Sequence, residues 1–180
     1  MTDSAPRRIG VSIELKPHAY DPVANPELFD GVLPRRVIAF IIDVAIIAIP
    51  VMLAAIFIFV FGVVTFGFGW VLYTILSPAS VIWAIVYYGL TFGSPASATI
   101  GMRVMDLEMR TWYGSPAYFI LGAVHAIVFW ITVTILTPFI LLIGFLNERG
   151  RLLHDIVVGT VVVNNAVRAS VLRTMHGAAE

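Results

Sequence analysis

The chain has 180 residues, 59% of them hydrophobic and 12% charged, with 11 basic side chains balanced by 11 acidic ones. Soluble domains carry about 25% charged residues, so this composition excludes an ordinary soluble fold and points to a membrane protein with several spans. Zero net charge argues against nucleic acid as a partner, and the absence of cysteine excludes disulfides, thiolate catalysis and Cys-based metal sites.

Residues 1–33 are polar and read as a cytoplasmic N-terminal segment, with 1–24 as a loosely ordered tail. Prolines 6, 17, 22 and 26 interrupt this segment and Pro34 follows it. No basic start followed by a short apolar core and a small-residue cleavage site is present, so no signal peptide is expected and the first span should direct insertion. Asn25-Pro26-Glu27 has the form of a helix start, with Asn as cap and Pro at the first helical position. Either a short interfacial helix carrying Phe29, Val32 and Leu33 and ended by Pro34, or a solvated linker, fits this stretch.

From 44 to 102 there is no Asp, Glu, Lys or Arg. That is too long for one span of about 20 residues and long enough for two. Three glycines at 62, 67 and 69 mark the turn between them, giving spans at about 37–61 and 70–92. Pro50 and Pro78 fall inside these helices, and Pro50 cannot donate to the Ile46 carbonyl one turn beyond Asp43.

Asp43 is the unusual residue of the first span. It lies seven positions after Arg36, which on a helix places both on one face, about 10.5 Å apart along the axis. A carboxylate at that depth costs about 2.5–3.5 kcal/mol on insertion scales, so a partner or a wet cavity is expected. Two roles are open to it: binding a cation or a proton, or pairing with Arg36 or Arg103 to fix helix packing.

Residues 93–116 are polar again. Apolar and charged residues alternate from 104 to 110, which predicts a short extended segment ending at Tyr113-Gly114. Met105, Leu107 and Met109 should face lipid or protein, with Asp106 and Glu108 toward water, and Gly101 should allow a close backbone approach. Ser115-Pro116 then reads as the start of another helix.

The run from 111 to 147 carries no formal charge, although His125 lies within it. It is either one span or a helical hairpin broken near 132–138. The basic residues fall only in 1–36, 93–116 and after 146. By the positive-inside rule all three belong on the cytoplasmic side, which favours the hairpin and a multi-pass protein of the plasma (inner) membrane with its N-terminus inside. Asp155 follows this run. It reads either as half of a weak surface ion pair or as closing a charge cluster with Arg36. His154 beside it, like His125, is most simply a hydrogen-bonded structural side chain.

Three motifs stand out: Arg36-x-x-Ala39-x-x-Ile42-Asp43; Thr99-Ile100-Gly101-Met102-Arg103; and Arg149-x-Arg151-Leu152-Leu153-His154-Asp155, continuing to Gly159-Thr160-Val161-Val162-Val163. In this order and spacing the chain resembles the RDD family of small membrane proteins over about residues 33–163. The resemblance makes Arg36 the family arginine and Asp43 and Asp155 its two aspartates, with Thr99, Gly101, Arg103 and His154 in support. Met102 stands where the family usually has lysine. The fold expected is an all-α polytopic membrane helical bundle, with a membrane domain at 34–163 and a polar tail at 164–180. For the family, transport, ion exchange and accessory-subunit roles have all been proposed.

Enzyme motifs are absent: there is no Gly-x-Ser-x-Gly, no His-Glu-x-x-His and no phosphate-binding glycine loop, so neither catalysis nor a cofactor or metal is expected. The partner expected is the lipid bilayer, with a homo-oligomer or a larger membrane complex beyond it. Two functions follow as expectations. One is a small transporter or ion exchanger using Asp43 as its coupling carboxylate. The other is a non-catalytic accessory or assembly subunit.

Overall fold

The computed structural model describes residues 19–178, apart from 137, 138, 140–142 and 145. Helix α1 runs from Val32 to Val64 and α2 from Tyr73 to Phe92, joined by a turn and a short 3-10 segment at Phe68–Leu72. A short α3 (Ile100–Val104) and strand β1 (Leu107–Thr111) follow, then α4 (Phe119–Leu136). Beyond it come α5 (Leu153–Val158), β2 (Thr160–Asn164) and α6 (Ala166–Gly177). Three helices among the described residues are long and apolar enough to cross a membrane, so the chain is a predominantly helical polytopic membrane protein.

At 33 residues α1 is about 50 Å long, longer than the roughly 30 Å hydrocarbon layer needs. It starts earlier than 37 because Pro34 sits inside its first turn, where a missing N–H costs nothing. Pro34 therefore begins the helix rather than ending a preceding one, and residues 26–28 form only a 3-10 turn. At the far end the Gly67 N–H closes onto the Gly62 carbonyl, and Gly67 takes a left-handed φ of +98° that suits a residue without Cβ.

The predicted extended segment is β1, and it pairs antiparallel with β2, Leu107 opposite Asn164 and Thr111 opposite Thr160. Leu107 and Met109 are fully buried, whereas Asp106 and Glu108 are partly exposed. The small sheet is an addition to the expected all-α bundle. Val161 to Val163 can pair because α3 and β1 leave a strand edge free at this end of the bundle, and an isolated β-branched run prefers a ladder to a helix. Pro116 bridges back to Arg110 and lengthens this extended region, so α4 starts at Phe119 instead of at Ser115-Pro116.

The β1–β2 pairing decides where the tail lies. Residues 160–164 sit at the same end of the bundle as 107–111, so the third run does not deliver the tail to the opposite end. By Gly144 the chain is already back beside Leu33 and Leu152. Of the break expected near 132–138, residues 132–136 instead continue α4, and 137 and 138 lie outside the described residues. The polar tail is helical, with Asn165 capping α6 through its side chain, and Arg173 on that helix pairs with Glu27.

The buried core sits at this sheet end, where Tyr87, Tyr88, Phe92, Met102, Leu107 and Met109 pack together. The other end of the bundle turns Ile56, Phe57 and Val60 outward, as a lipid-facing surface should.

Candidate functional site: a cavity between two buried polar centres

Two buried polar centres flank one cavity of about 360 Å³ between α1 and α4. Arg36, Asp43, His125, His154 and Met102 all line it, and Phe40 closes one side against Phe129 and Trp130.

The first centre is Asp43, buried on α1. Its Oδ1 accepts the Tyr87 hydroxyl at 2.6 Å and the Gly101 backbone N–H at 2.8 Å. One carboxylate oxygen thus ties α1 to α2 and to the start of α3. The Thr99 side chain caps that start by accepting from the Met102 N–H. Gly101 is required at the crossing, since a Cβ there would lie 2.1 Å from the Ala39 carbonyl oxygen. Gly101→Ala should therefore cost about 1–3 kcal/mol or more and break the Asp43 contact, which a thermal melt in detergent would read. A variant as stable as the parent would contradict this packing.

Asp43's donors are neutral, contrary to the expected pairing with Arg36 or Arg103. Arg36 turns toward α5, and Arg103 is taken up by the Ala98 carbonyl and the Ser94 hydroxyl. The reason is distance: two helical turns separate Arg36 from Asp43, while α5 brings a carboxylate directly alongside the arginine.

That carboxylate is Asp155, fully buried at the N-terminal turn of α5. Its Oδ2 accepts Arg36 Nη1 at 2.6 Å and the Leu152 N–H at 2.9 Å, the latter closing the first turn of the helix. Arg36 also donates to the Gly150 carbonyl at 3.2 Å and approaches His154 Nε2 at 3.5 Å. With 10% of the arginine side chain and none of the aspartate exposed, this is a buried ion pair and not the weak surface pair that the sequence left open. Burial pushes the Asp155 carboxyl up, but the Arg36 guanidinium outweighs it and holds the group below the usual carboxylate range. Burial pushes His154 down to about 3 against the pull of Asp155, so its imidazole is neutral and Arg36 is the cation that keeps Asp155 ionised.

His125 on α4 reaches the same place. Its Nδ1 lies 3.3 Å from the Thr160 hydroxyl on β2, and its Nε2 lies 3.8 Å from Asp155 Oδ1. His154 Nε2 is 3.6 Å from that same oxygen. Among the described residues, Asp155 Oδ1 and His154 Nδ1 have no hydrogen-bond partner.

Tyr87, Arg35 and Arg151 take roles that the sequence motifs did not assign them. Tyr87, one of several aromatics on α2, carries the shortest bond to Asp43. Arg35, next to Arg36 but about 100° around the helix, belongs to a different cluster with Asn164 and Asp106. Arg151 is buried, donating to the Thr160 and Asp155 carbonyls with its guanidinium over Trp112. The adjacency of Arg35 and Arg36 could have suggested two clusters, because neighbouring helical residues never share a face.

A helical bundle with three membrane-spanning helices, a two-stranded clasp and a buried arginine–aspartate pair defines a polytopic integral membrane protein. The chain belongs to the RDD family, whose family model matches residues 31–159. No curated protein and no solved structure matches it.

Proposed function

We propose that the protein is a small ion exchanger of the plasma membrane in which Asp43 alternately holds a proton and a cation. The observation that carries this reading is the shared cavity, whose largely apolar lining includes both the intramembrane carboxylate Asp43 and the Arg36 and His154 side chains at the sheet end. Intramembrane carboxylates beside a cavity mark ion and proton pathways. Protein reconstituted into liposomes should exchange protons for a monovalent cation down an imposed gradient, read with an internal pH dye. A pH response equal to that of empty liposomes across Na⁺, K⁺ and Li⁺ gradients would end the proposal.

A second reading, an accessory or assembly subunit, is favoured by one specific observation. Asp43 Oδ1 is already committed to Tyr87 and Gly101, which is what a carboxylate fixing helix packing would do.

Orientation follows from charge. The sheet end gathers Arg103, Arg110, Arg149, Arg151, Arg168 and Arg173, so it is taken as cytoplasmic, with the N-terminus on the same side. The lack of native cysteine makes single-cysteine labelling direct. Phe66, 96% exposed in the opposite turn, should label from outside intact cells as Phe66→Cys. Tyr113→Cys and Ser170→Cys should label only after permeabilisation. Labelling of Ser170→Cys from outside would reverse the orientation.

A further inference from the structure

The second polar centre has a feature that neither ion exchange at Asp43 nor helix packing requires. Two imidazole nitrogens and a carboxylate oxygen converge at separations too long for hydrogen bonds between them. Asp155 Oδ1 has no hydrogen-bond partner among the described residues, and the Nε2 atoms of His154 and His125 lie 3.6 and 3.8 Å from it. Both separations are beyond any useful hydrogen bond. They are close to the edge of a tetrahedron around a small ion, which for bonds of about 2.0–2.2 Å is about 3.3–3.6 Å. One ligand atom from each of these residues falls within 4.8 Å of the others, and all three residues are buried.

We propose that His125, His154 and Asp155 form a binding site for one first-row divalent transition ion, with zinc the best fit. Two imidazoles and a carboxylate with one vertex left over is a ligand set that such ions favour. The surroundings have the form of an outer shell. The Thr160 hydroxyl lies 3.3 Å from His125 Nδ1, and in the tautomer that carries its proton on Nδ1 the hydroxyl accepts it and the Nε2 lone pair is free for the ion. Arg36 and the Leu152 N–H hold the opposite carboxylate oxygen, Oδ2, so that Oδ1 is turned inward. His125 and His154 also line the cavity, which supplies an entry route and a place for the fourth ligand.

Arg36 Nη2 stands 3.5 Å from His154 Nε2, so the ion is held beside a cation. That proximity weakens binding relative to a site without the arginine. It also selects an anion, hydroxide or chloride, at the fourth vertex. The ligands come from α4 and α5, so the ion would clamp the third span to the segment that carries β2.

The test is a cobalt(II) titration of the full-length protein, purified in detergent without a polyhistidine tag and stripped with a chelator. Cobalt(II) in a four-coordinate nitrogen and oxygen site gives an intense visible absorption that six-coordinate surface binding lacks. The expected result is that band at one equivalent, displaced by one equivalent of zinc. His18→Ala/His176→Ala should keep it and His125→Gln should abolish it. Thr160→Val, which leaves all three ligands in place, should weaken binding about 10–100-fold and guards against a His125 variant that fails to fold. No four-coordinate band in the parent protein, or a band that depends on His18 and His176, would overturn the site. Because neither zinc binding nor its loss involves Asp43, the result stands apart from the ion-exchange reading.

Discussion

Replacing Arg36 with alanine should be the most damaging single change in the protein. It leaves Asp155, fully buried, without the guanidinium that bonds its Oδ2 at 2.6 Å. Breaking a buried pair by removing one partner costs about 3–5 kcal/mol, since the stranded charge must be protonated or drag water inward. Arg36→Lys should recover only part of this. An ammonium can pair with the carboxylate but cannot also reach the Gly150 carbonyl and His154 Nε2 in the planar fork that arginine presents. The informative measurement is a double-mutant cycle by thermal melting in detergent with a chelator present, which removes any contribution from a bound ion. Arg36→Ala/Asp155→Asn should lose less than the two single changes added together, because no charge is then stranded. Strict additivity would mean that the pair does not act as a unit.

Asp43→Asn should have the second-largest effect, on activity and not on folding. The amide oxygen can occupy the place of Oδ1 and still accept from the Tyr87 hydroxyl and the Gly101 N–H, so the tie between α1, α2 and α3 survives. Stability should change by no more than about 1 kcal/mol, in the range of one neutral hydrogen bond. Tyr87→Phe makes the complementary change. It removes a donor to a charged acceptor, worth about 1.5–3 kcal/mol, and leaves the carboxylate in place. If Asp43 is the coupling group, Asp43→Asn loses exchange in liposomes while melting normally, and Tyr87→Phe retains exchange at reduced stability. If Asp43→Asn exchanges ions as well as the parent, the carboxylate serves packing alone, and the accessory-subunit reading takes its place.

The apolar residues by themselves determined the class of protein. A run of 59 residues without charge must be two spans, because no soluble fold can hide it and no single helix needs it. The turn glycines between the first two spans and the close approach at Gly101 were equally legible. Each depends on local backbone geometry that a residue type announces. The alternation at 104–110 announced β1 for the same reason: period two is a property of the strand itself.

What only the tertiary structure decided was which polar groups meet. Arg36 and Asp43 share a helix face in sequence, yet Arg36 turns to Asp155 119 positions away and Asp43 turns to Tyr87 and Gly101. A buried charge takes whichever partner the fold places at contact distance, and along one helix seven residues is too far. The β1–β2 clasp is likewise non-local. The Val161 to Val163 run has no period-two alternation because both of its faces are buried, so it announces no strand until β1 stands beside it. That clasp also brings Thr160 to His125 and sets α5 under α4, assembling two histidines and an aspartate from positions 125, 154 and 155 that no sequence spacing relates.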